Sequence, residues 1–226
     1  KYNTFRAWLD RVEPLLPLIN SAFLARWNTD KHYLKDLEKA GIRIPPTLII
    51  EPGDSRTLAE LHAATGWTKT VLKPAVSGAG RHTYLLEENN RDEHEAIYRE
   101  LIAGEAMLLQ PFQDDVVQTG ELALMVVDGA VTHAVKKVAK PGDFRVQEDF
   151  GGTVHAHTPT EEETRFAEAA VRACPEEPLY ARVDIIRDNA GALAVAELEL
   201  IEPEMWFREC PEAADRLAEA VVKHWS

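Results

Sequence analysis

Two apolar segments near the end of the chain carry three carboxylate side chains among their apolar residues. Asp184 lies in the first segment, residues 180–186, and Glu197 and Glu199 lie in the second, residues 193–200. A turn-forming Asp-Asn-Ala-Gly sequence separates the segments, so we predict a β-hairpin. Carboxylates gathered on paired strands are typical ligands of a hard divalent cation such as Mg²⁺.

The length of this turn decides which side chains share a face. An even-length turn would pair residue 184 with residue 195, and Arg182, Asp184, Glu197 and Glu199 would then lie on one face. Two like charges at a separation of about 4 Å cost about 1 kcal/mol in water and about 4 kcal/mol near a protein surface. Arg182 offsets only one of the three acids, so we expect a cation to offset the rest. An odd-length turn would split the acids, and the alternative is then a solvated strand surface.

A lysine followed by a glycine-rich turn is the second candidate for chemistry. Lys73 ends a predicted strand, and Ser77, Gly78, Ala79 and Gly80 follow it. An ammonium group and the backbone amides of small residues can bind phosphate oxygens. The segment is not a Walker motif, because no Gly-Lys-Ser/Thr follows. A plain hairpin loop is the alternative.

A second basic and glycine-rich segment lies after the middle of the chain. Lys137 leads into the sequence Gly-Asp-Phe-Arg, which ends at Arg145, and Gly151 and Gly152 follow. Basic side chains on a glycine-containing loop suit a mobile clamp for an anion. A solvated loop without a ligand is the alternative.

Composition limits the classes of partner. The 226 residues carry a formal net charge of −13 and are 45% hydrophobic, as in a globular protein. An acidic chain without a basic face is not expected to bind nucleic acid or an anionic membrane. No apolar run approaches the roughly 20 residues that span a bilayer. Two isolated cysteines form no disulfide framework, which favours a cytoplasmic location.

The elements that must position these residues are mixed helices and strands. Asn28-Thr29-Asp30 is predicted to begin a helix that ends before Gly41, and Lys31 alone would be an ordinary surface residue of that helix. Residues 121–127 and 130–137 flank Asp-Gly, a strong hairpin signal. The pattern predicts an α+β fold with two lobes that meet near residues 111–112.

In their order along the chain, these segments resemble the ATP-grasp superfamily, which includes D-alanine–D-alanine ligase and glutathione synthetase. The likeness extends to glutathione synthetase-like proteins and to the O-ureidoserine cyclo-ligases of D-cycloserine biosynthesis. The matching stretches are Asn28-x-x-Lys31-x-x-Leu34, residues 142–147, and Glu197-Leu198-Glu199. The resemblance covers nearly all of residues 25–209. It implies antiparallel sheets in two lobes with the nucleotide in the cleft between them.

The resemblance also implies a set of site residues. Adenine would be held, largely through backbone groups, at the hinge between the two lobes, which is Gln110-Pro111-Phe112. The ribose would lie near Gln118 or Glu121. The residues placed against ATP are Lys31, Lys73, Ser77, Gly78, Ala79, Gly80, Gln110, Pro111, Phe112, Gln118 and Glu121. Those placed at the transferred phosphate are Lys137, Arg145 and Arg182. The metal ligands would be Asp184, Glu197 and Glu199, with Mg²⁺ as the ion and Mn²⁺ as an alternative.

The activity implied is that of an ATP-dependent ligase. It would join a small amino-acid-like carboxylate to an amine, or close a ring, through an acyl phosphate. A kinase of the same fold that phosphorylates a hydroxyl is one alternative, and a nucleotide-binding module without turnover is another. The resemblance leaves open whether the protein is a homodimer.

Two features depart from the family pattern. Many relatives have Asn at the position of Glu199, so the charge at the expected metal site is more negative here. An α/β lobe that helps to bind substrate normally precedes the other two. We therefore expect residues 1–24 to be a remnant or linker, residues 25–111 the first lobe and residues 112–226 the catalytic lobe. We expect an upstream segment to be missing or removed.

Overall fold

A computed structural model describes residues 1–78, 80–146 and 148–226. Its helices are α1 (Tyr2–Val12), α2 (Ala22–Asn28), α3 (Tyr33–Lys39), α4 (Leu58–Thr65), α5 (Arg91–Ile102), α6 (Asp115–Gln118), α7 (Glu161–Arg172) and α8 (Glu212–Trp225). Its strands are β1 (Leu48–Ile50), β2 (Thr70–Pro74), β3 (Tyr84–Leu86), β4 (Met107–Pro111), β5 (Glu121–Val127), β6 (Ala130–Val138), β7 (Thr153–His157), β8 (Tyr180–Arg187) and β9 (Leu193–Glu199). None of the helices in these ranges combines the length and the hydropathy needed to cross a bilayer.

The first sheet has four antiparallel strands in the order β1-β4-β2-β3. Alternate side chains of these strands point to one face, where α4 and α5 cover them. Leu58 and Leu61 of α4 and Tyr98 of α5 are fully buried there. A capping box at Thr57 and Glu60 satisfies the free amides at the start of α4. We call this unit the lid sheet.

The second sheet has five antiparallel strands in the order β7-β6-β5-β8-β9. The predicted Asp-Gly hairpin between β5 and β6 is present, with φ of 49° at Asp128 and 77° at Gly129. These left-handed values suit the two-residue turn that joins twisted strands. Helices together with two antiparallel sheets confirm the predicted α+β class.

The two faces of the five-stranded sheet have different surroundings. One face packs on α7 through buried side chains that include Leu124, Val183 and Ile185. The other face is apolar at one end, where Met125 packs with Trp206 and residues of α8. Charged side chains occupy the rest of that second face and are described below.

The segment before the lid sheet packs with the five-stranded sheet. Leu24 of α2 and Leu34 and Leu37 of α3 belong to the same buried cluster as Val183 and Ile185. The prediction of one helix beginning at Asn28 is wrong, because α2 ends at that residue and α3 begins at Tyr33. The Asn28 side chain donates to the Leu198 carbonyl and accepts from the Leu200 amide, at 2.8 and 2.9 Å. This contact with the end of β9 replaces the helix cap that the local sequence favours.

Candidate active site

A β-bulge decides that the three acids share one face. At the turn, Arg187 pairs with Leu193 and Ile185 pairs with Val195, whereas Asp184 pairs with Glu197. Ala196 is therefore the extra residue of a bulge in β9. A ladder that kept the register of the turn would pair Asp184 with Ala196 and would send Glu197 to the opposite face. The predicted pairing of residues 184 and 195 is thus wrong, but the bulge restores the shared face.

The carboxylate cluster consists of Asp184, Glu197 and Glu199. One oxygen of each side chain lies within 4.8 Å of an oxygen of the other two. Asp184 is 1% exposed, and the other two are partly exposed toward the space between the sheets. The fold thus brings together the three residues for which the sequence predicts metal binding.

Cations surround this cluster more completely than the sequence indicated. Arg182 donates to both oxygens of Asp184 at 2.9 Å and also pairs with Glu199. Lys137 is buried and pairs with Asp184 at 2.8 Å and with Glu121 at 2.5 Å. The expectation that Arg182 offsets only one of the three acids is therefore wrong, because Arg182 pairs with two of them.

The lid side supplies two more lysines. Lys31 pairs with Glu197 at 3.1 Å and donates to the Ser77 carbonyl at 2.7 Å. Burial would raise the pKa of Glu197, but the charges of Lys31 and Lys73 outweigh burial and hold it below the usual value. The Lys73 ammonium itself has no hydrogen bond or ion pair within residues 1–78, 80–146 and 148–226. Four cations thus face four carboxylates, counting Glu121, and the formal charges balance.

The pKa shifts show which of these groups are stabilised in their charged form by their neighbours and which are not. Burial would raise the pKa of Asp184, but Arg182 and Lys137 outweigh burial and hold it below the usual value. Burial raises the pKa of Glu199 to about 8, and the charges of Asp184 and Glu197 act in the same direction against Arg182. Burial also lowers the pKa of Lys73. Burial therefore opposes the charged forms of both Glu199 and Lys73, and the Lys73 ammonium has no ion pair among the described residues.

The donor set fits a hard divalent ion. Carboxylate oxygens are preferred Mg²⁺ ligands, and opposite ligands of an octahedral Mg²⁺ are about 4.2 Å apart. The three carboxylate oxygens all lie within 4.8 Å of one another, an upper bound close to this span. Glu197 and Glu199 each keep one oxygen that none of the ion pairs of the described residues uses. Oxygen donors of this kind accept Mn²⁺ as well.

A cavity of about 440 Å³ lies between the lid sheet and the five-stranded sheet. Its walls include all the predicted site residues that the structure describes except Gln118, which is exposed at the end of α6. Ala79 lies outside the described residues. The predicted residues that line it are Lys31, Lys73, Ser77, Gly78, Gly80, Gln110, Pro111, Phe112, Glu121, Lys137, Arg145, Arg182, Asp184, Glu197 and Glu199.

The predicted hinge lies at this cavity, but its polar groups have protein partners. The Gln110 side chain donates to Thr47 at 2.8 Å, and the Phe112 amide donates to the Lys69 carbonyl at 2.9 Å. The Pro111 carbonyl accepts from the side chain of Gln113, at 2.8 Å. Adenine bound there would therefore share the Pro111 carbonyl with the buried Gln113 side chain or replace it.

Two loops meet at the cavity, and we call their described residues the loop pair: 77, 78 and 80 in the first loop, and 140–146 and 148–152 in the second. A Cβ atom at Gly80 would lie 2.9 Å from the Phe150 ring, so only glycine allows this contact. The Arg145 guanidinium lies 3.8 Å from the centre of the same ring. It also donates to Asp143 at 3.0 and 2.8 Å. Arg145 thus lines the cavity while paired within its own loop.

Several residues of the cavity were not singled out from the sequence. Val71 and Ile186 share strand faces with Lys73 and Asp184, so strand alternation could have found them. Trp206 had no local signal, yet it lines the cavity and is 4% exposed. Its φ of 42° is left-handed, which costs about 1–3 kcal/mol for a residue of this size. The other residues that were not singled out include Pro45, Thr83, Gln113, Val116, Ala196 and Glu204.

Comparison with known proteins gives three kinds of match. A family model described as the RimK-like ATP-grasp domain matches residues 29–201. The cycloserine biosynthesis protein DcsG of Streptomyces lavendulae is 29% identical over 237 residues, which cover 97% of this chain and 77% of that protein. The ribosomal protein bS6–L-glutamate ligase of Shigella boydii is 29% identical over 182 residues, and the match spans 79% of this chain but only 58% of that ligase.

Solved structures agree with these matches. The crystal structure of D-cycloserine synthetase DcsG superposes with a TM-score of 0.89 at 29% identity, covering 100% of this chain and 80% of that one. D-alanine–D-alanine ligase from Bacillus anthracis superposes with a TM-score of 0.71 at 17% identity, covering 95% of this chain and 73% of that one. The second likeness concerns the fold alone.

Proposed function

The chain belongs to the RimK-like ATP-grasp family of ATP-dependent ligases, and from this premise we propose that it uses Mg²⁺ and ATP to join a small amino-acid-like carboxylate to an amine. One observation carries the proposal: a single cavity has the carboxylate cluster on one wall and, on another, the ammonium of Lys73, which has no ion pair among the described residues. Opposite charges arranged in this way suit a triphosphate together with its metal ion.

In this proposal the lid lysines bind the phosphates. Lys73 needs no rearrangement, because it has no competing partner among the described residues. Lys31 would exchange its ion pair with Glu197 for a phosphate oxygen. Asp184, Glu197 and Glu199 would hold Mg²⁺, whose chemistry is to neutralise charge on the phosphate oxygens.

The chemical steps then follow from positioning and charge. A carboxylate oxygen of the substrate attacks the γ-phosphorus, the new O–P bond forms, and the bond to ADP breaks. The amine nitrogen attacks the acyl carbon, inorganic phosphate leaves, and the amine proton passes to solvent. Arg145 and Lys137 would stabilise negative charge on the transferred group. Closure of the loop pair would keep water from the acyl phosphate.

The partners that this reaction requires are a carboxylate and an amine of low molecular weight. The names of similar proteins point in the same direction, because they include a cycloserine biosynthesis protein and an L-glutamate ligase. Ring closure within one substrate would use the same first step. We further propose that residues 25–111 and 112–226 act as lid and catalytic lobes.

The test is the turnover of the Glu197→Gln variant on a panel of amino-acid-like carboxylates and amines. Turnover is measured as the release of inorganic phosphate. We expect phosphate release to fall about 10²-fold or more, as when an electrostatic group is removed from an active site. Melting should stay near the wild-type temperature, since Glu197 is partly exposed. Near-normal turnover would remove Glu197 from the site, and a stable phosphorylated product would favour a kinase.

Nucleotide binding is tested separately by calorimetry with AMP-PNP. Lys73→Ala should weaken the affinity about 10- to 100-fold, the loss expected for a charged hydrogen bond. Lys35→Ala is the matched control, because Lys35 pairs with Glu38 on the surface of α3 and does not line the cavity. Equal affinities of both variants would refute the phosphate role of Lys73.

A further inference from the structure

Trp206 lies beside the two buried cations that bind the carboxylate cluster. The ring centre lies 5.3 Å from the Arg182 guanidinium and 6.0 Å from the Lys137 ammonium. All three side chains are more than 90% buried. A cation over an aromatic face is attracted to it, most strongly where water is excluded. The indole ring therefore forms a wall against which both cations lie.

The backbone on both sides of Trp206 holds the ring in this position. The preceding Met205 carbonyl accepts from His133 of β6, at 2.9 Å. The Trp206 amide donates to Glu204 at 2.9 Å, and its carbonyl accepts from the Glu209 amide at 2.8 Å. The left-handed φ of Trp206 persists because of these contacts.

The indole N–H does not account for the ring's position. It is buried and has no hydrogen-bond partner among the residues that the structure describes. A phenylalanine would avoid this unsatisfied donor, so the large aromatic face itself is the feature that the site uses.

The two cations determine how the acids point. Arg182 binds both oxygens of Asp184 and one of Glu199, and Lys137 binds Asp184. Arg and Lys side chains have several rotatable bonds, so a fixed wall removes alternatives that would turn the carboxylates away. The effect of the ring reaches Asp184 and Glu199 only through these cations.

We propose that Trp206 is a positioning residue for the carboxylate cluster and acts through Arg182 and Lys137. It holds Asp184 and Glu199 in the arrangement that binds the metal ion of the nucleotide. This inference rests on the proposed function, because it assumes that the cluster binds a divalent ion. It assigns a role outside the ligands and the phosphate-binding lysines.

The test measures Mn²⁺ affinity in the presence of AMP-PNP, by electron paramagnetic resonance of the free ion. Trp206→Leu should weaken Mn²⁺ binding about 5- to 30-fold, as expected when desolvated cation–π contacts are lost. Trp206→Phe keeps an aromatic face and should stay within about threefold of the wild type. Trp225→Leu is the matched control, because Trp225 is 50% exposed on α8, and its affinity should not change.

A double-mutant cycle separates positioning from a general loss of packing. In an Arg182→Lys background, Trp206→Leu should cause a clearly smaller further loss than it does in the wild type, because one of the two cations through which it acts is already altered. If Trp206→Leu does not fold, Trp206→Met replaces it, since methionine also lacks an aromatic face. Fully additive losses, or an unchanged affinity of the folded Trp206 variant, would overturn the inference.

The two proposals fail in different ways. Absence of Mn²⁺·AMP-PNP binding by the wild-type protein would refute the proposed function and the inference together. Normal binding by the wild type and by both Trp206→Leu and Trp206→Phe would refute the inference alone.

Discussion

The carboxylate cluster and the loop pair face the same cavity but are held by different kinds of contact. In the cluster, Asp184 is bound by Lys137, which is 47 positions away, and Glu197 is bound by Lys31 from the lid side. In the loop pair, Arg145 is bound by Asp143, two positions away, and Phe150 meets Gly80 only through van der Waals contact. Tertiary contacts therefore pre-organise the cluster, whereas the ion pair that holds Arg145 is local.

Because of this difference, substitutions in the two regions should have different effects on the stability of the protein. Removing one member of a buried ion pair leaves the other member as an uncompensated charge. A loop pair that is half-exposed can exchange its partner for a ligand at little cost, because water solvates the released groups. We expect changes at the fully buried Asp184 to affect both folding and turnover, and changes in the loops to affect ligand binding and turnover alone.

The largest effect should come from Asp184→Asn. Arg182 and Lys137 would remain buried without a full counter-charge, so the free energy of unfolding should fall by about 3–5 kcal/mol. This corresponds to a melting temperature roughly 6–20 °C lower for a chain of this size. Denaturant titration followed by circular dichroism measures the change.

Asp128→Asn is the control for this prediction. Asp128 pairs with Lys223 at 2.9 Å, both side chains are exposed, and Asn tolerates the left-handed turn conformation. Its unfolding free energy should stay within about 0.5 kcal/mol of the wild type. Equal effects of the two substitutions would remove the contrast between buried and surface pairs.

A smaller effect, on turnover alone, is expected from Arg145→Gln. Phosphate release should fall about 10²-fold through loss of positive charge at the transferred group. The free energy of unfolding should stay within about 1 kcal/mol, because the lost pair with Asp143 is local and partly exposed. Arg165→Gln, which changes an exposed helix pair with Glu161, should change neither quantity. A large loss of stability with Arg145→Gln would show that the loop is part of the folded core.

The smallest effect is expected at the contact between the two loops. Gly80→Ala would place Cβ 2.9 Å from Phe150 in a left-handed conformation. Because that conformation costs an L-residue about 1–2 kcal/mol, AMP-PNP affinity measured by calorimetry should weaken by at most about 5- to 30-fold. Gly78→Ala is the control, since no heavy atom of the described residues other than its chain neighbours lies within 4 Å of the added Cβ. An equal loss from both variants would locate the effect in backbone entropy rather than in the contact with Phe150.

Local sequence signals were sufficient for most of the elements. The predicted Asp-Gly hairpin is present, and β5 matches its predicted bounds. Strand alternation and turn residues act over a few positions, so they can be read without the fold. The family resemblance was also correct, because it rests on short motifs in a fixed order.

Contacts between distant segments decided the rest. Asn28 ends a helix instead of beginning one, because its side chain bonds to β9, and the segment up to Ile44 packs with the five-stranded sheet. The wall formed by Trp206 depends on a backbone conformation held from β6 and from its own loop. None of these contacts leaves a signal in the neighbouring residues.

The carboxylate face shows the division most clearly. The sequence by itself determined that Asp184, Glu197 and Glu199 alternate along two strands, because side-chain direction follows from backbone geometry. Only the tertiary structure decided that they meet, since the pairing register and the bulge at Ala196 depend on how β8 and β9 pair. It also decided that four cations neutralise the acids, because Lys31, Lys73 and Lys137 come from other elements and converge only when the two sheets are in place.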